Sequence, residues 1–273
     1  MKTRWDALPH SGIFLIGVLI VAFWTLCAVC GRLIVPFDPF ADDILNALAP
    51  PSRLHWFGTD QLGRDVLSRV IVGARDILIV APVATALGVG LGVTLGLVTG
   101  YFRGVVDDVV GRVIDALLAL PVVIIALFAL TAIGTSTWAV IVVIGIIFAP
   151  LVARTVRAAV LSERDLDYVA AARLRNEHTV YILFAEILPN VVPPIAVEAS
   201  VRLGYAIFAV ATLSFMGFGI QPPSPDWGLA VSESYGLING GIWWPVLFNT
   251  LAVASLVIGV NLAADGIRGG RGA

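Results

Sequence analysis

The stretch ALGVGLGVTLGLVTG, residues 86–100, contains no charged side chain and lies within an apolar run from about residue 76 to residue 101. The interior of a bilayer offers no water to the backbone, so every amide and carbonyl group there must be bonded within the protein. This run is also much longer than a barrel strand, which needs roughly 10 residues to cross. It therefore predicts a membrane-spanning α-helix and, with similar segments elsewhere, an all-α membrane protein.

The composition of the whole chain supports the same class. Of its 273 residues 59% are hydrophobic and only 13% are charged, whereas soluble domains carry about a quarter charged residues. The net charge is -2, and no run rich in lysine or arginine is present. We therefore expect a lipid bilayer and no nucleic acid among the partners of the chain.

Six apolar segments are long enough to span a membrane. Their approximate bounds are 12–35, 76–101, 109–133, 138–158, 187–218 and 243–264. The chain then divides into a cytoplasmic N-terminus (1–11), a first span (12–35), an extracytoplasmic loop (36–75), a core of five spans (76–264) and a cytoplasmic tail (265–273).

The orientation follows from the distribution of lysine and arginine, which concentrate in the loops that face the cytoplasm. With both termini inside, ten basic residues fall on the cytoplasmic side and four fall in the single long outer loop, which is also acidic. The cytoplasmic residues are Lys2, Arg4, Arg103, Arg154, Arg157, Arg164, Arg173, Arg175, Arg268 and Arg271. The outer residues are Arg53, Arg64, Arg69 and Arg75.

The long loop at residues 36–75 ends in a helical pattern. Between residues 61 and 75, four apolar residues recur at helical spacing among polar ones: Leu62, Val66, Val70 and Ala74. This pattern predicts an extracytoplasmic amphipathic helix on the outer membrane surface. A helix packed only on its own transmembrane bundle fits the pattern equally well.

The opening stretch also carries a stripe of glycines, Gly88, Gly92, Gly96 and Gly100. Residues four apart lie on one face of a helix, and glycines there allow a second backbone to approach closely, so the stripe predicts helix packing in lipid. The alternative, a glycine loop that binds a ligand, requires a strand before it, and none is predicted.

A polar segment interrupts the apolar second half of the chain: DYVAAARLRNEHTVYILFAEILPN, residues 167–190. Acidic residues precede three alanines, and arginines follow them, an order that suits a helix dipole. Asn176 tolerates the left-handed turn that ends many helices. A second helix is expected near residues 179–188, with Pro189 and Asn190 bending the chain into the fifth span. A helix with a flank of small residues is typical of an element held in the groove of another protein, and a plain linker is the alternative.

This segment resembles the EAA loop of permease subunits of ATP-binding-cassette (ABC) importers, in the version of the dipeptide, oligopeptide and nickel permeases. The matching residues are Tyr168, Val169, Ala171, Ala172, Arg173, Ile187, Leu188, Pro189 and Asn190. The chain departs from the family at Ala170, where glutamate is usual, and at Asn176, where glycine is usual. In the family this loop, here residues 159–186, holds the coupling helix seated in the ATPase subunit. The resemblance thus implies ATPase coupling for Asp167, Tyr168, Ala170, Ala171, Ala172, Arg173, Asn176 and Pro189.

Residues 55–75, 213–228 and 261–268 resemble three further family motifs: GTD…GRD…SR…GAR, the outer loop after span five, and the terminal N-L-x-x-D-G-x-R. The resemblance implies a six-helix type I ABC importer permease of a bacterial inner membrane. It also implies a heterodimer with a homologous permease, two ABC ATPase subunits and an extracytoplasmic substrate-binding protein, working by alternating access.

The chain offers no site for ATP or for a metal ion. A Walker-type loop needs a lysine after its glycines, and the one lysine is Lys2. His10, His55 and His178 are not at metal-ligand spacing. We therefore expect no cofactor and no catalytic residue in this chain, with ATP and magnesium bound by the partner ATPases.

Two groups of charges remain within the predicted spans. Glu198 and Arg202 stand four residues apart in the fifth span, either lining the translocation path or pairing with each other. Four charged residues at the start of the third span are interpreted as a cytoplasmic rim: Asp107, Asp108, Arg112 and Asp115.

Other functions stay open on the sequence alone. The same family transports nickel and other small solutes besides peptides. A self-contained secondary transporter or channel would show inverted repeats, and none is visible. Neither that class nor a structural assembly factor accounts for the polar helix at residues 167–176.

Overall fold

A computed structural model describes the backbone of residues 12–269 and the side chains up to residue 266. Lys2, Arg4, His10 and Arg271 lie outside this part, as does the side chain of Arg268. Ten α-helices form the described chain, with no strand among them. They are α1 (Gly12–Ile34), α2 (Val66–Phe102), α3 (Val105–Leu118), α4 (Val122–Ile133), α5 (Thr137–Glu163), α6 (Asp167–Leu174), α7 (Thr179–Tyr181), α8 (Leu188–Phe215), α9 (Trp227–Ser234) and α10 (Trp244–Gly269). The predicted all-α class is confirmed.

Within the described residues, five helical segments are long and apolar enough to cross a membrane: α1, α2, α5, the run Thr179–Phe215 and α10. A sixth span exists if α3 and α4 count as one, although these two helices are bent by 93° from each other. The prediction of one continuous helix over residues 109–133 is therefore wrong. Pro121 stands at the break, where its ring disfavours helical backbone at Leu120 and it offers no amide hydrogen.

The predicted helix at residues 61–75 is helical from Val66 onward, but it continues without interruption into α2, which is 37 residues long. Val66, Val70 and Ala74 are buried within the described chain. The structure thus corrects the boundary and favours packing on the chain itself over a separate helix on the membrane surface. Burial of these residues stabilises the helix, because most helical stability in proteins comes from tertiary packing.

The predicted bend at Pro189 is also corrected. The α7 helix, a π-helical turn at Ile182–Ile187 and α8 form one helical run, Thr179–Phe215. A π turn bonds residues five apart, and such turns are one way a helix adjusts its hydrogen bonds near an interruption such as Pro189. The fifth span therefore begins directly after α6.

The chain forms two compact units. One contains the residues up to Pro82, Leu130–Val140 and the residues from Leu203, and the other contains Val83–Ala129 and Ile141–Arg202. In the first unit α1 packs closely on α10, because Gly17 lets the two backbones meet: a Cβ atom there would lie 2.5 Å from the amide nitrogen of Ala263. The second unit has a core of ten buried residues from α2, α5, α6 and the run Thr179–Phe215. They are Leu97, Val152, Val156, Val160, Val169, Ala172, Ile182, Leu183, Ile187 and Val191.

Candidate functional site

The short helix α6 has one buried face and one exposed face. Val169 and Ala172 are fully buried in the core of the second unit. The opposite side carries Asp167, Ala170, Ala171 and Leu174, all exposed, and we call these four residues the α6 exposed face. Two small residues therefore lie at the centre of a surface that is bounded by a carboxylate and a leucine.

The end of α6 is closed by a left-handed turn. Asn176 has a φ of +54°, as the sequence predicts for a residue in the place of the family's glycine. The amide of Asn176 donates to the carbonyl of Arg173 at 3.0 Å, and the amide of Glu177 donates to the carbonyl of Ala172 at 3.2 Å. These bonds satisfy carbonyl groups that the helix end would leave unpaired. The substitution of asparagine for glycine thus preserves the turn.

Two arginines, one on α6 and one in the link before it, bond this region to the end of α2. Arg164 donates to the carbonyl of Tyr101 at 2.6 Å. Arg173 donates to the hydroxyl of the same tyrosine at 3.3 Å, with its guanidinium 5.0 Å from the ring centre. Arg164 also donates to Asp165, and that bond holds the pKa of the Asp165 carboxyl below its usual range. Arg173 therefore points towards the chain itself and not towards the α6 exposed face.

Tyr168 and Arg175 link α6 to the elements on either side of it. The Tyr168 hydroxyl donates to Glu163 at the end of α5 at 2.8 Å. Burial, followed by the hydrogen bond to Glu163, raises the pKa of Tyr168 to about 12, so the phenol stays protonated at physiological pH. Arg175 pairs with Glu186 in the π-helical turn at 3.0 Å and with Glu177 at 3.4 Å. A displacement of α6 would therefore act on α5 and on the start of the fifth span together.

Pro189 is exposed in the first turn of α8. Beside it, the Asn190 side chain donates to the carbonyl of Glu186 at 2.8 Å, within the same turn that Arg175 binds. The predicted coupling residues from Asp167 to Arg173 all lie on the short helix α6. Pro189 lies on the helix that leaves it.

The glycine stripe lies against α5 within the second unit. A Cβ atom at any of the four glycines would come within 3.0 Å of α5 atoms. The neighbours are Gly145 and Phe148 for Gly88, Val152 for Gly92, Val156 for Gly96 and Val160 for Gly100. The two backbones approach this closely because the stripe carries no side chains.

Glu198 and Arg202 form an ion pair with nitrogen–oxygen distances of 2.6 and 2.7 Å. Both side chains are largely buried, and the guanidinium lies 6.0 Å from the ring centre of Phe148. The pair is thus present, as one of the two interpretations of the sequence requires. The two charges are paired with each other, so neither is presented alone to a translocation path.

Leu174 was not predicted from the sequence, and it is 85% exposed at the end of α6. Its signal was visible: a large apolar residue among arginines, at a position that shares a face with Asp167 and Ala171. Tyr101 was missed as well, because its role depends on contact with Arg173, which is 72 residues away along the chain.

A second polar region, in the first unit, lies where the chain enters α2. It consists of His55, Asp60, Arg64, Asp65, Ser68 and Arg69, and we call it the α2-entry cluster. Asp60 accepts from the amides of Leu62 and Arg64 at 2.9 and 3.0 Å and from the Arg64 side chain at 2.7 Å, with Arg69 3.5 Å away. Arg69 is only 3% exposed.

The rest of the α2-entry cluster is equally well bonded. One oxygen of Asp65 lies 2.9 Å from the ring Nδ1 of His55, and the other accepts from the amide and hydroxyl of Ser68 at 2.8 and 2.7 Å. Gly63 has a φ of +78°, and a Cβ atom there would lie 1.7 Å from the carbonyl oxygen of Asp43. The geometry of this buried polar loop is therefore fixed by shape as well as by charge.

Asp226, also in the first unit, begins α9. Its side chain accepts from the amide of Leu229 at 2.9 Å and is fully buried. Burial raises the pKa of this carboxyl to about 6. The side chain caps the start of α9 as a hydrogen-bond acceptor, and its burial makes ionisation costly.

Comparisons with known proteins agree with this architecture. A family model described as "Binding-protein-dependent transport system inner membrane component" matches residues 92–268. The dipeptide transport system permease protein DppC of Escherichia coli (strain K12) is 38% identical over 98% of this chain and 91% of its own length. The di/tripeptide transport system permease protein DppC of Pseudomonas aeruginosa (strain UCBPP-PA14) is 33% identical over 98% of this chain and 90% of its own length.

Among solved structures, inward facing conformations of the MetNI methionine ABC transporter match with a TM-score of 0.59. The match has 20% sequence identity and covers 74% of this chain and 95% of that chain. At this identity the likeness concerns the fold, which is that of a type I ABC importer permease.

Proposed function

The chain belongs to the family of binding-protein-dependent transport system inner membrane components, and from this membership we propose that it is a permease subunit of an ATP-driven peptide importer. It is a multi-pass inner membrane protein and a transport component. Membership implies ATPase and substrate-binding protein partners. The observation that carries the proposal of coupling is the α6 exposed face, which holds small and apolar residues on a helix bonded to three other elements.

The proposed substrates are dipeptides and related short peptides. Support comes from the names of relatives that match nearly the full chain, which include dipeptide and di/tripeptide permeases. In this proposal the chain forms half of the pathway, beside a homologous permease, and Glu198 with Arg202 contributes a neutral polar pair to it. The chemistry of ATP, with its magnesium, belongs to the two ATPases, and this chain catalyses nothing by itself.

The proposed orientation has both termini and α6 in the cytoplasm, where ATPases can reach the α6 exposed face. Closure of the ATPases would displace α6. The bonds from Tyr168 to Glu163 and from Arg175 to Glu186 would carry that displacement into α5 and the fifth span. This supplies a mechanical route for alternating access, because a rigid helix transmits motion along its length.

The test is to substitute Leu174 in the full complex. Leu174→Ser removes an apolar contact worth about 1–3 kcal/mol when buried, so we expect ATPase subunits to copurify at least about fivefold more weakly and dipeptide uptake into proteoliposomes to fall. Leu45→Ser, at a residue that is 97% exposed in the loop before α2, is the matched control. Unchanged copurification and uptake in Leu174→Ser would contradict the proposal.

A crosslink provides the second arm. Ala171→Cys should form a bond to a cysteine in an ATPase subunit, and locking it should stop peptide uptake. Full uptake by the locked complex, or transport in liposomes without any ATPase subunit, would favour a self-contained transporter instead.

A further inference from the structure

The helix α3 is amphipathic and leaves its apolar face uncovered by the described chain. Val105, Val109 and Val113 are 77%, 56% and 55% exposed, and Leu117, on the same side, is 40% exposed. The opposite side carries charged residues and faces α5. In a protein that spans the bilayer, an uncovered apolar stripe beside a charged one is typical of a helix at the boundary between acyl chains and head groups.

The geometry of the next helix agrees with that depth. With α4 crossing the membrane along its normal, a 93° bend places α3 in the membrane plane. The α4 helix has 12 residues, which at about 1.5 Å per residue covers roughly 18 Å of a hydrocarbon core about 30 Å thick. One leaflet accounts for about 15 Å of that thickness, so an α4 that begins at one face of the core carries the chain past the midplane, and α3 lies in the leaflet of the opposite face.

A polar cavity of about 400 Å³ opens between α3 and α5. Six charged residues line it, namely Asp107, Asp108, Arg112, Asp115, Arg154 and Arg157. Three are acidic and three are basic, so the formal charges of the lining cancel. A volume of this order is within the range of pockets that bind small molecules.

Two ion pairs connect α3 and α5 beside this cavity. Arg157 binds Asp107 through two nitrogen–oxygen contacts of 2.5 and 2.6 Å, which fix α3 on α5. Arg154 pairs with Asp115, and both side chains are mostly exposed. The amide of Asp108 donates to the carbonyl of Gly104 at 2.9 Å. Among the described residues the side chains of Asp108 and Arg112 have no hydrogen bond, and Arg112 has no ion pair. These two exposed side chains are one turn apart on α3, and they offer a cation and an anion to a ligand.

We propose that this cavity binds the head group of a phospholipid of the phosphatidylethanolamine type, whose acyl chains lie along the apolar stripe of α3. The phosphodiester would accept hydrogen bonds from Arg112, since guanidinium groups bind phosphate oxygens in a bidentate manner. The primary ammonium would donate to Asp108. A cavity with balanced charges suits a zwitterionic head group, whereas sites for anionic lipids are rich in lysine and arginine. The proposal does not depend on the substrate of the transporter.

The experiment uses the full-length chain in its purified complex, exchanged into equal amounts of phosphatidylethanolamine, phosphatidylcholine and phosphatidylglycerol. Native mass spectrometry counts the lipids that stay bound. We expect phosphatidylethanolamine to be retained about tenfold over phosphatidylcholine, because the quaternary ammonium of choline cannot donate to Asp108; hydrogen bonds to charged groups are of this strength.

The double variant Asp108→Asn with Arg112→Gln should lose that preference. The matched control, Asp42→Asn with Arg53→Gln, makes the same chemical changes at exposed positions in the loop before α2 and should retain it. Any one of four results would overturn the proposal: equal retention of choline and ethanolamine lipids by the unmodified protein, a preference for the glycerol lipid, displacement of the bound lipid by a dipeptide, or an unchanged preference in the double variant. The first three need no variant and so do not depend on its folding.

Discussion

The α2-entry cluster and residues 159–186, which we call the α6 loop, are both charged segments of an apolar chain, yet the first buries its charges and the second exposes them. In the α2-entry cluster, Asp60, Asp65 and Arg69 are buried, and each has hydrogen-bonding partners within the same unit. In the α6 loop, Arg173 and Arg175 are exposed. Charges that are removed from water must be paired, because an unpaired buried charge is far more costly than an exposed one.

This difference agrees with a structural role for the first region and with the coupling role proposed for the second. Buried charges fix a single geometry, because any movement breaks several bonds together. Exposed pairs contribute little to stability and can exchange partners. A loop that has to move against another protein is therefore better built from exposed pairs and a small buried contact, as Val169 and Ala172 provide for α6.

The largest expected effect is in the α2-entry cluster. Asp60→Ala removes the nearest carboxylate of Arg64 and the ion-pair partner of the buried Arg69, which should lower the free energy of unfolding by roughly 3–5 kcal/mol. Chemical or thermal unfolding in detergent measures it. Asp42→Ala is the control: its side chain is 55% exposed and lies 3.9 Å from Arg64, so a change within about 0.5 kcal/mol is expected. Equal losses of stability in the two variants would contradict the difference between buried and exposed charges.

Asp226 gives the first unit a pH dependence. Its pKa is raised from 3.8 to about 6 in the folded state, so the ionised form destabilises the fold above pH 6. Stability from this group is gained as pH falls from about 6 towards 3.8, by up to roughly 3 kcal/mol.

Asp226→Asn, which keeps the acceptor for Leu229, should abolish that gain and should be as stable as the parent or more stable at pH 7.5. Unfolding measured from pH 7.5 to 4.5 checks this, with Asp42→Asn as the exposed control. A parent protein that gains nothing on acidification would show that the carboxylate is not buried.

Gly96 tests packing by shape in the second unit. A Cβ atom at this position would lie 2.6 Å from the Val156 Cβ and 2.8 Å from the carbonyl of Ala153, so Gly96→Ala should destabilise the protein by about 1–3 kcal/mol. Gly90, on the same helix, has nothing within 4 Å of such an atom, and Gly90→Ala should be neutral or stabilising by about 0.5–1 kcal/mol. The two variants are compared by their unfolding temperatures. Destabilisation by both would point to glycine-dependent flexibility of α2 instead of packing.

The smallest effect is expected at Arg175. Its pairs with Glu177 and Glu186 involve an arginine side chain that is 52% exposed, so Arg175→Gln should change stability by less than about 1 kcal/mol. A double-mutant cycle with Glu186→Gln measures the coupling directly. A loss above about 2 kcal/mol would place the α6 loop with the α2-entry cluster as a rigid structural element.

Features that depend on neighbouring residues along the chain were predictable from the sequence. The spans followed from runs of apolar residues, and the left-handed turn at Asn176 followed from the type of residue at the end of a helical pattern. The turn that ends α6 depends only on hydrogen bonds between residues three to five positions apart. Local chemistry of this kind is the same in any fold.

Two of the three corrected predictions, the continuous third span and the bend before the fifth, concern prolines. Pro121 separates two helices at 93°, whereas Pro189 lies in a helical run that continues. Each lacks an amide hydrogen, but whether the helix breaks depends on what surrounds it. Near Pro189 a π-helical turn and the Asn190 side chain rearrange the backbone bonds, and buried residues on both sides hold the run in the core of the second unit.

By itself, the sequence determined that this protein is a bundle of membrane helices with one polar helix near residues 167–174, because apolar length and local propensity act through neighbouring residues. Tertiary structure alone decided which charges are buried, which face of α6 is open and where the third span breaks. Those outcomes depend on contacts between residues far apart in the chain, such as Tyr101 with Arg173, whose energies no local pattern contains.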